Sequence, residues 1–434
     1  MTILPSKFAE MDAHQRARPC VIVGSGFSRE ISDAMPIMND LGRDVLQDLG
    51  LPDSALDPFG GNLEQWMSYL AVDQPWLSPA DNFENRALFE RVSRAVYEII
   101  KDAESRTLTS KALPVWLERL AWTWCDQEAR IFSFNYDTLL ERAVGAVNRV
   151  TSLGDLYVAA VADRTAAGDG GFLGAGPPLG KLLSLYKLHG SVSWAFGGLD
   201  GPPNDRIVLT ERQLRWLVNS ETDQPQPSPR ELQKFDDLVP LIVPPTLTKG
   251  PFFSNLTLRA QWRRAADVLR SADRLTVIGY SFPPADLVAQ QWVGTNFQGD
   301  RMDVIDRSET RPALIRETLA NARQGDDKTG AQAIQAYVDR ECGDHVAWRI
   351  WSDGDDLGAK ASLSVNGSDL LAAVDPRYPP WGGNDYLDAQ TWIHQLVDSA
   401  GGEWSVDRAQ GPMSGSWEER RVVLPPGKRL VIRQ

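Results

Sequence analysis

The sequence predicts an α/β protein built on a parallel β-sheet with helices covering both faces. Short apolar segments alternate along the chain with longer segments in which apolar residues recur at helical spacing. The short segments are mostly apolar, which is typical of strands buried on both faces. The first of them runs directly into a glycine-containing turn, Gly24-Ser25-Gly26-Phe27-Ser28. Together these observations predict a Rossmann-like sheet, whose first strand ends in such a turn.

The first part of the chain contains one strand and then mainly helices. Residues 18–23 predict a buried strand, and the glycine turn that follows leads to a helix near residues 38–49. Residues 62–124 predict helices with a continuous apolar face. Because this helical stretch interrupts the alternation of strands and helices, we interpret residues 53–125 as a helical insertion in the α/β core.

The alternation resumes after the insertion. Strands are predicted at residues 130–134, 184–189, 241–243, 275–278 and 302–306, and helices from about residue 138 and at residues 255–271, 286–297 and 312–323. Residues 160–180 are rich in Gly, Ala and Pro and predict a loop, and residues 198–230 are polar and broken by prolines.

The composition changes toward the carboxyl terminus. Residues 325–352 predict a helix and a strand that complete a first domain, residues 1–352. We expect residues 353–434 to form a small appendage of mixed α/β structure, ending in two short strands around Pro425-Pro426-Gly427. Its sequence indicates no particular chemistry.

The composition of the chain argues against several classes of protein. The chain has 434 residues, 42% of them hydrophobic, and a formal net charge of −13, which disfavours direct binding to nucleic acid. Its three cysteines, Cys20, Cys125 and Cys342, are far apart, so neither a disulfide framework nor a structural zinc site is expected. We expect a cytoplasmic protein, since no signal peptide and no membrane-spanning segment is evident.

Polar side chains cluster where the predicted strands end. The residues in such positions are Ser25, Asn135, Asp137, His189, Ser281 and Asp306. Ligands of open parallel sheets bind beyond the carboxyl ends of the strands, so these side chains predict one common ligand site.

Each of these residues also has a purely structural interpretation. Gly24 and Gly26 allow a backbone to approach a phosphate closely, but a tight strand–helix turn needs them too. Asn135 and Asp137 can bind a ligand or cap the following helix. His189 can accept a proton near neutral pH or hold a structural hydrogen bond, and Gly190 after it would admit a ligand.

Two further segments also have both a ligand-binding and a structural interpretation. Gly279-Tyr280-Ser281 predicts a second turn at a phosphate or ribose. Asp306, at the end of the last strand of the sheet, can bind an adenosine ribose or cap a helix.

Taken in order, these motifs resemble the sirtuin family across roughly residues 18–310. The matching motifs are Gly24-Ser25-Gly26-Phe27-Ser28, Phe134-Asn135-Tyr136-Asp137, His189-Gly190 and Gly279-Tyr280-Ser281. The zinc module of deacylating sirtuins is missing, because no cysteine lies between Cys125 and Cys342. Their loop for acyl-lysine substrates is only echoed by Met35-Pro36-Ile37-Met38. The chain therefore looks more like the bacterial sirtuin-like NAD hydrolases of antiphage defence.

The resemblance implies an NAD glycohydrolase that needs no metal and releases nicotinamide and ADP-ribose. Asn135 would position the attacking water or the nicotinamide ribose, and His189 would act as a general base or orient the ribose hydroxyls. Asp137 would hold the nicotinamide carboxamide, and Asp306 would lie near the adenosine. The residues implied at the phosphates and ribose are Gly24, Ser25, Gly26, Ser28, Gly279 and Ser281.

The resemblance also implies regulation and leaves alternatives open. Because constant NAD loss is toxic, we expect gating by homo-oligomerisation, a small nucleotide, or a partner such as an ATPase or a nucleic-acid-guided component encoded nearby. Residues 62–124 and 355–434 are candidates for such contacts. The alternatives are an NAD-dependent protein ADP-ribosyltransferase or deacylase, and a non-enzymatic module that senses NAD or ADP-ribose.

Overall fold

The computed structural model describes most of the chain, and the statements below concern those residues. They are residues 18–147, 155–159, 161–163, 182–197, 207–210, 216, 238–246, 255–319, 324–342, 345–353, 356–365, 368–369, 405–407 and 417–423. Of the two terminal strands expected around Pro425-Pro426-Gly427, the first corresponds to residues 417–423 and the second lies outside the described residues. The chain divides into two compact units, one of residues 1–113 and 124–334 and one of residues 114–123 and 335–434.

The elements of the first unit follow one another closely along the chain. Its strands are β1 (Cys20–Val23), β2 (Arg130–Ser133), β3 (Val161–Asp163), β4 (Ser184–Lys187), β5 (Gly190–Gly197), β6 (Ile207–Leu209), β7 (Leu238–Ile242), β8 (Arg274–Ile278), β9 (Arg301–Asp306) and β10 (Lys328–Thr329). Its helices are α1 (Ser25–Ile31), α2 (Met38–Asp48), α3 (Leu63–Leu70), α4 (Pro79–Ser110), α6 (Leu139–Ala146), α7 (Leu256–Arg270), α8 (Leu287–Asn296) and α9 (Arg311–Thr318). Helices α5 (Val115–Asp126) and α10 (Ala333–Glu341) each span a boundary between the units.

The centre of the first unit is a six-stranded parallel sheet in the order β10-β9-β8-β1-β2-β4. All four residues of β1 and of β2 are buried, including the polar Arg130 and Ser133 of β2, which agrees with coverage of both faces by helices. The predicted Rossmann-like α/β fold is thus confirmed. Since β1 lies between β2 and β8, the segments that follow these three strands meet at one edge of the sheet.

A second sheet of the first unit contains the strand expected at residues 241–243, which is part of β7, and three strands that the sequence did not predict. It has the order β3-β6-β5-β7. Strands β3 and β6 lie within the residues expected to be a loop (160–180) and a polar segment (198–230), most of which are outside the described part of the chain. These two expectations are wrong at residues 161–163 and 207–209, because three-residue strands leave little periodic signal and obtain their hydrogen bonds from neighbouring strands.

The insertion after α2 is helical, as predicted. A short 3₁₀ segment (Asp53–Phe59) precedes α3, and α4 extends over 32 residues. Ser78 and Asp81 form a reciprocal capping box at the start of α4, with Pro79 in its first turn.

One helix of the core has no counterpart in the sequence prediction. The chain passes from β1 into α1 through the single extended residue Gly24, so the predicted glycine turn is mostly helix. Glycine and serine are poor helix formers, and this composition hides the helix.

In the second unit, five strands form an antiparallel sheet. They are β11 (His345–Asp353), β12 (Asp356–Val365), β13 (Ser368–Asp369), β14 (Ser405–Asp407) and β15 (Trp417–Val423), in the order β13-β12-β11-β15-β14. The strand expected at the end of the first domain is β11, and it pairs with β12 and β15 in this sheet.

The three cysteines are free and buried, and burial raises the pKa of Cys20 to about 11 and of Cys342 to about 12. A thiol with a raised pKa holds little reactive thiolate at pH 8. We therefore expect the native protein to react with less than about 0.2 equivalents of a thiol reagent within minutes. The denatured protein should react with about three equivalents. Rapid reaction of one equivalent in the native state would contradict this packing.

Within the described residues, no helix is long and apolar enough to cross a membrane.

Candidate active site

A pocket lies where β1, β2, β4 and β8 end. It holds about 870 Å³ of empty space, a value that includes open solvent at its mouth. Its apolar lining is Met35, Pro36, Ile37, Met38, Leu41, Ile100, Phe134, Pro245 and Pro283. Its polar lining is Ser25, Ser28, Glu64, Asn135, Tyr136, Asp137, His189, Tyr280, Ser281 and Asp286. Three acids and no lysine or arginine occur among these described residues, and we call this the acidic pocket.

The side chain of Asn135 is held in one orientation. Its Nδ2 donates to the carbonyl oxygen of Gly24 at 2.8 Å and to Oγ of Ser28 at 2.9 Å. A carbonyl can only accept, so the contact with Gly24 identifies the amide nitrogen. The amide oxygen makes no hydrogen bond to any described residue and remains available to a ligand in the pocket.

Ser28 connects Asn135 to Asp137. Its Oγ donates to Oδ2 of Asp137 at 2.6 Å, while Oδ1 of Asp137 accepts from the backbone nitrogen of Leu139 at 3.2 Å. Asp137 thus forms an Asx turn with Leu139 just before α6, whose N-cap is Thr138, and it lines the acidic pocket as well. Burial raises the pKa of Asp137, and the nearby Lys187 opposes that increase.

Buried charges support the turn that carries Asn135 and Asp137. Nζ of Lys187 donates to the backbone oxygen of Asp137 at 2.5 Å and lies 3.2 Å from Oε1 of Glu141. Glu104 accepts from both the nitrogen and the hydroxyl of Thr138, at 2.6 and 2.7 Å. These contacts join α4, β4 and α6 to the end of β2, so the turn has little freedom to move.

His189 is paired with a carboxylate that the sequence did not single out. Its Nε2 lies 3.3 Å from Oδ2 of Asp286, and that oxygen also accepts from the hydroxyl of Tyr280 at 2.6 Å. The ring of Phe134 contacts the ring of His189 edge to face, with their centroids 4.9 Å apart. It also stacks on the ring of Tyr280, with their centroids 4.3 Å apart. An Nε2–H donating to Asp286 makes Nδ1 the basic nitrogen of the neutral ring.

The glycines at the ends of β1 and β8 pack against each other. Gly279 has a φ of +59°, and its nitrogen and oxygen bond to Ile305 and Gly26. A Cβ on Gly24 would lie 2.6 Å from the oxygen of Gly279, and one on Gly26 would lie 2.7 Å from its Cα. The structure thus explains these glycines by the packing of two turns.

Gly190 has a similar explanation. Its φ is +81°, and a Cβ there would collide with the backbone oxygen of Leu241 in β7. Close packing of two strands requires this glycine, and the ligand approach expected from the sequence is not its structural reason.

A second pocket adjoins the first and shares Ser25, Ile37, Met38 and Ser281 with it. It holds about 1130 Å³ of empty space including open solvent. Its charged lining is Arg29, Glu30, Asp306, Arg307 and Arg311. Because three arginines face two carboxylates, we call this the arginine pocket.

Asp306 is fixed at the edge of the arginine pocket. Its Oδ1 accepts from the backbone nitrogen of Ser308 at 2.8 Å, and its Oδ2 lies 3.7 Å from Nε of Arg311. Arg307 forms a bidentate pair with Glu30 of α1.

The predicted site residues fall into three groups. The acidic pocket contains Ser25, Ser28, Asn135, Asp137, His189 and Ser281, and the arginine pocket contains Ser25, Gly26, Gly279, Ser281 and Asp306. Gly24 lines neither pocket, although its carbonyl holds Asn135. Glu64 and Asp286 were missed; Asp286 caps α8 by accepting from Ala289, and only that helix start could have indicated it.

Comparisons with known proteins give only loose matches. No protein-family model and no curated protein matches the chain. A structure from work on the mechanism and regulation of Sir2 enzymes matches at 12% identity, covers 76% of this chain and 93% of that one, and has a TM-score of 0.35. A Sir2 homologue in complex with NAD matches at 13% identity, with coverage of 76% and 93% and a TM-score of 0.33. TM-scores this low define neither the family nor the activity of this chain.

Proposed function

We propose that the chain cleaves NAD at the bond between nicotinamide and ribose, with water as the acceptor, and releases nicotinamide and ADP-ribose. The observation that carries this proposal is the division of charge between two adjoining pockets. The acidic pocket suits the cationic pyridinium ring, and the arginine pocket suits the anionic pyrophosphate and the adenosine. Ser25 and Ser281 line both, at the position where the chain of the dinucleotide would cross.

The roles in the reaction follow from the fixed groups. The bond from C1′ to the ring nitrogen breaks, and its electron pair leaves with neutral nicotinamide. The amide oxygen of Asn135 holds the water that attacks C1′, and His189 accepts the proton of that water through the nitrogen that does not face Asp286. The products are nicotinamide, ADP-ribose and one proton. Asp137 binds the nicotinamide carboxamide, and Asp306 binds the adenosine ribose.

The glycine turns contribute through shape. Gly24, Gly26 and Gly279 let the turns after β1 and β8 approach closely, and this brings Ser25 and Ser281 to the junction of the pockets. Ser28 accepts a hydrogen bond from Asn135 and donates one to Asp137, and so holds these two side chains in fixed positions relative to each other.

The test is a product analysis of NAD incubated with the purified chain, with and without candidate proteins as acceptors. We expect equimolar nicotinamide and ADP-ribose, and no ADP-ribose on protein. Modified or deacylated protein would favour the transferase or deacylase, and tight NAD binding without any product would favour the sensing module.

Asp286→Asn is expected to lower the kcat of nicotinamide release about 100-fold, because the variant removes the charge that orients and stabilises protonated His189. The affinity for ADP-ribose should change by less than about threefold, since Asp286 does not line the arginine pocket. Asp300→Asn, at an exposed aspartate, is the matched control. Equal kcat in Asp286→Asn and Asp300→Asn would remove Asp286 from the mechanism.

The cellular role that we propose rests on the sequence resemblance. A gated effector, regulated by homo-oligomerisation or by a partner protein, would deplete NAD only during phage infection. Cells that express the chain should keep a normal NAD pool until they are infected. An NAD pool that is unchanged throughout infection would contradict this role.

A further inference from the structure

We infer that Glu64 is a catalytic carboxylate that stabilises the positive charge on the nicotinamide ribose as the bond to nicotinamide breaks. This inference rests on the proposed cleavage of NAD. It assigns part of the reacting centre to the helical insertion, which the sequence indicated only as a candidate for partner contacts.

Glu64 occupies a defined place in the wall of the acidic pocket. It is the second residue of α3, whose start is capped by Asn62 through a hydrogen bond from the backbone nitrogen of Gln65 at 3.0 Å. Its side chain is only 5% exposed, although glutamate is among the residues least often buried. The small exposed part lines the same pocket as Asn135 and His189.

Electrostatic effects place the charge of Glu64 near two rings of the pocket. Burial, together with the negative charges of Glu64 and Asp286, raises the pKa of Tyr136. Burial, Asp286 and Glu64 likewise raise the pKa of Tyr280. The ring centroids of Tyr136 and His189 are 6.4 Å apart, and Tyr280 stacks on Phe134, so the two tyrosines that Glu64 influences belong to the wall of the site.

Two other acids lie in the same pocket. Asp137 accepts from Ser28 and Leu139, and Asp286 accepts from Tyr280 and Ala289. Glu64 comes from a separate element, the insertion, and adds a third negative charge. None of the described lining residues is a lysine or an arginine, although Lys187 behind the wall of the pocket lies close to Asp137.

The chemistry of the reaction calls for such a charge. Before cleavage the positive charge is on the pyridinium ring, and as the electron pair leaves with nicotinamide the charge moves to C1′ and the ring oxygen of the ribose. A carboxylate in the wall of the pocket accelerates the reaction if it interacts more strongly with the ribose cation than with the pyridinium ring, and Glu64 is the residue to which we assign this role. Glu64 therefore makes no bond and transfers no proton, and His189 takes the proton of the water.

The test measures binding of two dinucleotides that differ in charge. Carbocyclic NAD keeps the cationic ring but cannot be hydrolysed, and NADH carries a neutral ring. By calorimetry, wild type should bind carbocyclic NAD at least tenfold more tightly than NADH, and Glu64→Gln should reduce this preference to about twofold or less. The affinity of Glu64→Gln for ADP-ribose should stay within about twofold of wild type, because that ligand lacks the ring.

Two further variants serve as controls for the Glu64→Gln measurement. Glu98→Gln removes a half-exposed glutamate of α4 and should keep the full preference for the cation. Glu64→Asp keeps the charge and should retain a preference between those of wild type and Glu64→Gln. An unchanged preference in Glu64→Gln would overturn the role of Glu64 alone. Failure of wild type to bind either dinucleotide would overturn the proposed function itself.

Discussion

His189→Ala is expected to reduce nicotinamide release by a factor of about 100 to 10,000, because it removes the only base that we place at the reacting carbon. Its ring contacts Phe134 and Asp286, so the replacement leaves a cavity beside these two residues. The measurement is the initial rate of nicotinamide release from NAD, followed by chromatography. The affinity for ADP-ribose reports whether the arginine pocket is intact.

Asn135→Ala should cause a loss of similar size through a different route. The amide oxygen that holds the water disappears, and the bridge from Asn135 to Gly24 and Ser28 is lost as well. Asn296→Ala, at the end of α8 and outside both pockets, should keep full activity. If neither His189→Ala nor Asn135→Ala slows the reaction, the reacting centre lies elsewhere.

Gly279→Ala is expected to destabilise the fold by about 3 kcal/mol or more. The residue has a positive φ, and a Cβ there would lie 2.7 Å from Cα of Gly26. Because the contact is with backbone, no side chain can rotate away, and the turns after β1 and β8 must separate. Urea denaturation followed by circular dichroism measures the change in the free energy of unfolding.

Gly50→Ala is the matched control for Gly279→Ala. Gly50 also has a positive φ, +65°, but a Cβ there would meet nothing within 4 Å. The control should therefore show only the conformational cost of about 1 kcal/mol. Equal destabilisation by the two variants would mean that the close approach of Gly26 and Gly279 contributes nothing.

The core of the fold could be predicted from sequence because its strands are short and mostly apolar and are followed by turn residues. Val21, Ile22 and Val23 reveal β1, and Val277 and Ile278 reveal β8, in both cases before a glycine. Helix α1 could not be recognised, since its glycine and serine serve a tertiary contact that local propensity does not encode. Strands β3 and β6 depend on pairing with distant segments in the same way.

The site was predictable as far as its residues follow strands. Asn135, Asp137 and His189 follow β2 and β4, and the parallel sheet brings them into one pocket. Asp286 and Glu64 reach that pocket from a loop and from the insertion, and no motif marks either position. The burial of Lys187 in β4 could not be predicted for another reason. Its ion-pair partner Glu141 is distant in sequence and comes close to it only in the folded chain.

The most direct test of the central claim is a crystal structure of the chain with carbocyclic NAD. We expect the nicotinamide ribose between Asn135 and His189, the pyrophosphate beside Ser25 and Ser281, and the adenosine ribose at Asp306. This measurement does not depend on whether a gate holds the enzyme inactive. A dinucleotide bound in the reverse orientation, or outside both pockets, would contradict the account.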